Sequence, residues 1–193
     1  ASNGGSPITG YTVAVLPAAG SCAVSGTTAS CTGLVNGTSY AFTVAATNTA
    51  GTGASSNALS ATPRTVPGAP QAATVIAGNT TLRVAWNVPA SNGGAPITGY
   101  TATATSTTPA GSFTCTTSGA TTCDITGVTN GVAYTVTVHA TNVAGDGPTA
   151  TATPTPVTPA AVPGSPTGVA ATGGNGEVVV SWTAPADNGG API

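Results

Sequence analysis

The feature that most constrains the fold of this chain is an internal repeat of about 90 residues. The phrase Asn-Gly-Gly-x-Pro-Ile occurs three times, starting at Asn3, Asn92 and Asn188. A longer stretch, GLVNGTSYAFTVAATNTAGTG at 33–53, returns as GVTNGVAYTVTVHATNVAGDG at 127–147. This period is too long for a solenoid repeat and has the size of a small independent domain. The sequence therefore predicts a tandem array of such domains.

The boundaries of these domains follow from aligning the copies. VPGAP at 66–70 begins the only complete copy and returns as VPGSP at 162–166. The Pro-rich stretch TPTPVTPAAVPGSP that leads into the second of these is typical of a semi-rigid linker. We predict a unit lacking its first two strands, a complete domain, and the first two strands of a further unit, over residues 1–64, 65–160 and 161–193, respectively.

Hydrophobic residues in the complete copy alternate with a period of two, which indicates strands rather than helices. In LRVAWNV, Leu82, Val84 and Trp86 share one face, and YTVTVHATN alternates in the same way from Tyr134 to Ala140. Short alternating runs between Gly, Pro and Asn turns are typical of a β-sandwich. We predict no helix and seven strands, at 70–76, 80–88, 97–106, 112–118, 121–127, 132–142 and 147–154.

Charge is scarce, with two basic and four acidic side chains among 193 residues. Nucleic acid is excluded as a partner, because binding it requires many Lys and Arg side chains to neutralise phosphates. No run approaches the ~18 apolar residues of a membrane-spanning helix. A neutral, hydroxyl-rich surface lacks long-range repulsion, so neighbouring copies can pack closely.

The motifs together resemble the fibronectin type III domain, in the style of secreted bacterial tandem arrays. The resemblance rests on the VPGAP start, the Trp of the second strand, the ITGY start of the third, and the pattern G-[LV]-x-N-G-x-x-Y. It implies an all-β fold of tandem seven-stranded Ig-like sandwiches, and the spacing before each Tyr of the pattern resembles a tyrosine corner. The Arg-Gly-Asp of some family members is absent. The structural core residues implied are Trp86, Trp182, Tyr11, Tyr100, Tyr40, Tyr134, Leu34 and Val128.

Four cysteines occupy equivalent places in two copies, and four cysteines allow three connectivities. Repeat symmetry favours the local pairs Cys22–Cys31 and Cys115–Cys123. The alternative, a zinc site, lacks a Cys-x-x-Cys motif and has a single His to draw on. Disulfides imply an oxidising compartment, so we predict an extracellular or cell-surface protein.

No residue pattern indicates catalysis, a cofactor or a metal. His139 is the only histidine, and Ala45 stands at its place in the first copy. Asp124, Asp146 and Asp187 are scattered and are interpreted as turn or strand-edge residues, without the clustered oxygen ligands of a calcium site. The Asn-Gly-Gly loop precedes a strand and lacks Lys, so it is interpreted as a turn rather than a phosphate loop.

Three classes of function stay open at this level: a structural stalk or filament, an adhesive or carbohydrate-binding module, and a spacer attached to a secreted hydrolase. We favour the non-catalytic structural class, with copies of itself or adjacent repeats as partners, end to end, and a glycan or cell-surface ligand as the alternative. The half-domain at 1–64 needs two further strands. Either the chain is a window on a longer array, or each chain completes the next by strand exchange. The shared phrase at 1–8 and 186–193 favours the window.

Overall fold

The computed structural model describes residues Ser2–Ile193, and every regular element in this range is a β-strand. The described chain forms two compact units. The first comprises residues up to Thr65 together with Gly93–Pro96, and the second comprises Val66–Asn92 and Ile97–Ile193. Among the described residues there is no helix that could span a membrane. The all-β class predicted from the period of two is confirmed.

The first unit contains six strands. Strand β4 (Tyr40–Asn48) pairs along its length with β1 (Gly10–Leu16), in antiparallel register. Its other edge carries β5 (Gly51–Thr52) and β6 (Leu59–Ala61). A separate hairpin is formed by β2 (Ser21–Ser25) and β3 (Thr28–Thr32), which pair with each other. One face of the β1–β4 sheet is therefore not covered by a second full sheet of this unit.

Apart from a separate hairpin described below, the second unit contains two sheets. The first has the order β10-β9-β12-β13, with β14 also on β12, and the second has the order β11-β8-β7. These strands are β7 (Gln71–Ala77), β8 (Thr81–Asn87), β9 (Ile97–Thr107), β10 (Ala110–Thr117), β11 (Thr122–Thr126), β12 (Thr135–Asn142), β13 (Gly145–Asp146) and β14 (Ala150–Thr151).

The core of the second unit lies between these two sheets and follows the predicted alternation. Leu82 and Val84 on β8 and Val136 and Val138 on β12 are fully buried. Burying each such side chain stabilises the fold by roughly 1.5–3 kcal/mol. The same alternation buries Trp86 beside Tyr100, with ring centroids 5.4 Å apart, and burial raises the pKa of the Tyr100 hydroxyl.

Six of the seven predicted strands lie close to the observed ones, and the last differs. The stretch predicted as a strand over 147–154 forms only the short strand β14, followed by an isolated bridge from Thr153 to Thr74. Pro148 interrupts the ladder, because proline has no N–H to donate.

The last two strands of the chain form a hairpin within the second unit. Strand β15 (Thr167–Gly173) pairs with β16 (Val178–Thr183). Both strands are exposed along their whole length. Trp182, predicted as a core residue, is 61% exposed. The prediction for Trp182 is wrong in this structure because no second sheet packs on the β15–β16 pair.

Candidate interaction surfaces

The two disulfides join the predicted residues but link different kinds of strand pair. Cys115 on β10 is bonded to Cys123 on β11, and these strands belong to opposite sheets of the second unit. Cys22 is bonded to Cys31, which lies directly opposite it within the β2–β3 hairpin. The first bond therefore links two sheets, and the second links two neighbouring strands.

A tyrosine hydroxyl closes the loop before β4 in the first unit and before β12 in the second. In the second unit the Tyr134 hydroxyl accepts a hydrogen bond from the N–H of Thr129 at 3.0 Å. In the first unit the Tyr40 hydroxyl accepts one from Val35, also at 3.0 Å. Both rings are buried. Val128 and Leu34, which the resemblance also predicts as core residues at equivalent places, differ in burial. Val128 is buried in the second unit, whereas Leu34 is half-buried in the first.

The three Asn-Gly-Gly loops form turns of one geometry, in which the second glycine has φ of 79°, 83° and 86° at Gly5, Gly94 and Gly190. L-residues rarely adopt this conformation, which explains the glycine. In the first and last loops the Asn side chain accepts a hydrogen bond from that glycine's N–H. Ser and Asp both serve at the preceding position, because Ser2 Oγ and Asp187 Oδ1 each accept a hydrogen bond from the N–H of the first glycine of the loop.

His139 has a partner that the sequence did not reveal. Its Nε2 lies 3.7 Å from Asp146 Oδ1, which also accepts a hydrogen bond of 2.6 Å from Thr141 Oγ1. The three side chains lie on the outward face of β12 and β13, and the Asp146 side chain is well exposed. A pair this accessible to water contributes little to the stability of the fold.

The described residues contain no cluster of three or more His, Cys, Asp or Glu side chains that could hold a metal ion. Asp124 lies on β11 opposite Arg83 of β8, and Asp187 lies in the last Asn-Gly-Gly turn. The acidic residues therefore occupy strand-edge and turn positions and are not gathered at one site.

The first unit carries an uncovered apolar face on its β1–β4 sheet. Val44 on β4 is 41% exposed, whereas Val138, at its place in the second unit, is fully buried. A cavity of about 140 Å³ lies on this face, between Tyr11, Val13, Val44 and the β2–β3 hairpin. This apolar face of the first unit therefore has room for further side chains to pack against it.

A larger groove of about 420 Å³ lies at the end of the same sheet, bordered by Ile8, Ala46 and the segment from Ala50 to Gly53. The second unit has a proline segment at the equivalent place. There a Cβ added to Gly147 would meet the carbonyl of Pro67, and one added to Gly145 would lie 3.7 Å from Val66. A Val-Pro segment therefore fills this position in the second unit.

Comparison with known proteins gives one family. The profile of the fibronectin type III domain matches residues 1–62 and 68–156, more than half of the chain. No curated protein sequence matches significantly.

Among solved structures, similar ones include domains A168–A170 of titin, with 21% identity, 61% of this chain and 40% of that one covered, and a TM-score of 0.46. The twitchin kinase region from C. elegans has 22% identity, 44% and 15% coverage and a TM-score of 0.40. Titin kinase with its flanking domains has 25% identity, 49% and 17% coverage and a TM-score of 0.43. The chain thus spans less than half the length of each of these.

Proposed function

Because the chain belongs to the fibronectin type III family, we propose that it is a non-catalytic structural segment of an extracellular or cell-surface protein. In this proposal, disulfide-linked sandwich domains follow one another as a stalk or filament of the kind found in secreted bacterial arrays. The observation that carries the proposal is structural repetition, since equivalent cysteine pairs are bonded and equivalent tyrosines close equivalent loops in both units. A repeated scaffold suits a role that depends on length and spacing.

The partners we propose are adjacent repeats or copies of the same chain, arranged end to end. The uncovered apolar face of the first unit, and the groove bordered by Ile8 and Ala46, are surfaces that a strand pair like β7–β8 would cover. In the second unit that pair supplies Trp86 against Tyr100, and the segment before it places Val66 and Pro67 against Gly145 and Gly147. The surface carries almost no charge to repel a neighbour.

The alternative is an adhesive or carbohydrate-binding module, and one observation bears on it. Sugar binding uses exposed aromatic rings, and Trp182 is the exposed ring in question. Its equivalent in the complete copy of the repeat, Trp86, is a core residue, so we assign Trp182 to the packing surface of the β15–β16 pair. Phe113 packs edge-to-face on Tyr134 at 5.9 Å and is partly buried. A spacer role beside a secreted hydrolase uses the same scaffold.

Immunogold electron microscopy of native material, with an antibody against the second unit, tests the structural role. We expect label along extended cell-surface or extracellular fibres, and label confined to the cell interior would contradict the proposal. Maleimide labelling of the unreduced native protein should modify none of its four cysteines. Binding of the purified chain to a glycan array that is lost in Trp182→Ala would instead favour the carbohydrate-binding alternative.

A further inference from the structure

The second glycine of the Asn-Gly-Gly loop packs directly on another turn, and this contact occurs twice. In the second unit, a Cβ added to Gly190 would lie 2.5 Å from the nitrogen of Gly131 and 2.7 Å from the carbonyl carbon of Asn130. In the first unit, a Cβ added to Gly94 would lie 2.6 Å from the carbonyl carbon of Asn36. Real Cβ atoms do not approach backbone this closely, so only glycine permits the contact.

In each unit an extended linker segment is hydrogen-bonded to both the loop and the turn. In the second unit, Gly131 N–H donates to the carbonyl of Pro159 at 2.9 Å, and Ala161 N–H donates to the carbonyl of Gly189 at 2.7 Å. The first unit repeats this arrangement at equivalent positions, with Gly37 donating to Pro63 and Thr65 donating to Gly93. We call this arrangement of loop, turn and linker the loop-on-turn contact.

The turn that receives the loop is held by its own sandwich. The Asn130 side chain accepts a hydrogen bond from the N–H of Thr80 at 2.9 Å and donates one to Asn79 Oδ1 at 2.8 Å. These bonds connect the turn before β12 to the turn between β7 and β8. The receiving surface is therefore a fixed part of the complete sandwich rather than a loose loop.

The first loop of the chain supplies an internal comparison. Gly5 has the same φ and the same Asn hydrogen bond as Gly190, yet a Cβ added to it would meet nothing within 4 Å. Turn conformation alone explains a glycine at Gly5. At Gly94 and Gly190 the close approach of a second backbone adds an independent requirement.

We propose that the Asn-Gly-Gly loop at 188–190 is a docking element that seats the β15–β16 hairpin on the Asn-Gly turn at Asn130–Gly131 and sets the orientation of the hairpin relative to the sandwich of the second unit. The proposal deepens the structural role and rests on it, because an array of set length needs joints of set angle. Backbone-to-backbone packing provides that angle without long flexible side chains.

Nuclear magnetic resonance of the full-length chain tests the proposal, with Gly190→Ala as the disrupting variant and Gly5→Ala as its control of matched φ. In the parent chain, residual dipolar couplings from β15–β16 and from β8, β9 and β12 should fit one alignment tensor. In Gly190→Ala the tensor of β15–β16 should fall by about half or more, and exchange of the Ala161 and Gly131 amides should accelerate at least about tenfold. Gly5→Ala should leave both measurements unchanged.

A second variant separates docking from folding of the hairpin. Gly131→Ala places its Cβ 3.3 Å from the Gly190 Cα and leaves the hairpin sequence intact. Its control is Gly127→Ala, at φ 78° with only ordinary contacts. If Gly190→Ala also unfolds the hairpin, the Gly131→Ala result decides. A single tensor and unchanged amide protection in Gly131→Ala would overturn the proposal. The structural role would then still be tested separately, by the immunogold microscopy.

Discussion

Tyr100 and Tyr11 occupy the same place in the repeat, in the ITGY motif, and their surroundings differ. Tyr100 is buried and lies beside Trp86, whereas Tyr11 is partly exposed on the open face of the first unit. Trp182 is in the same situation as Tyr11, since it has the sequence context of Trp86 but faces no second sheet. The motif determines which side chains are apolar, and an opposing sheet determines whether they become a core.

Strand pairing differs between the two units in the same way. Strand β11 pairs with β8, and β10 pairs with β9, so the two cysteine-bearing strands of the second unit lie in opposite sheets. In the first unit the equivalent strands β2 and β3 pair with each other. The described part of the first unit contains no counterpart of β8. Strand β3 therefore satisfies its backbone groups with β2, because unpaired strand edges are costly.

The largest expected effect is the difference in stability between variants of the two equivalent tryptophans. Trp86→Ala should lower the free energy of unfolding of the second unit by about 3–5 kcal/mol, because it opens a cavity in the core. Trp182→Ala should change it by less than about 0.5 kcal/mol, as expected of an exposed side chain. Urea titrations followed by amide hydrogen exchange in β8, β9 and β12 measure both changes. Equal losses in the two variants would show that Trp182 also packs in a core.

The disulfides give the next largest effect. Replacing Cys115 and Cys123 together by Ala should cost the second unit about 2–3 kcal/mol, since a short cross-link restricts the unfolded chain. Replacing Cys22 and Cys31 together should leave the amide exchange of β8 and β12 unchanged, because that bond lies in the first unit. A loss below about 0.5 kcal/mol in the first variant would show that the sheets do not depend on the bond that links them.

The tyrosine corners, unlike the tryptophans, should respond to mutation alike in the two units. Tyr134→Phe removes the acceptor of the Thr129 N–H and should cost about 1–2 kcal/mol. Tyr40→Phe removes the same bond to Val35 in the first unit. We expect faster exchange of the Thr129 amide in the first variant and of the Val35 amide in the second. An effect in one unit only would mean that the bond depends on the opposing sheet.

Much of the fold could be predicted because it depends on local sequence. Alternation of apolar residues located Leu82, Val84, Val136 and Val138 in the core, and turn glycines located the Asn-Gly-Gly turns. The exposure of Trp182 could not be predicted from its motif, because burial depends on a sheet contributed from elsewhere. The contact of Gly190 with Gly131 could not be predicted, because the turn conformation at each position is already a sufficient reason for a glycine. The only available sign was that both turn motifs recur together.

The smallest effect concerns the outward face of β12, where the two units differ in sequence. Asp146 and His139 in the second unit stand where the first has Thr52 and Ala45, and there Thr52 Oγ1 lies 3.0 Å from Thr47 Oγ1. Asp146→Thr should therefore be accommodated by a hydroxyl pair with Thr141. A double-mutant cycle of Asp146→Thr and His139→Ala should give a coupling energy below about 1 kcal/mol in urea unfolding, as for an exposed pair. A larger coupling would show that this surface is shielded from water, as it would be beneath a neighbouring chain.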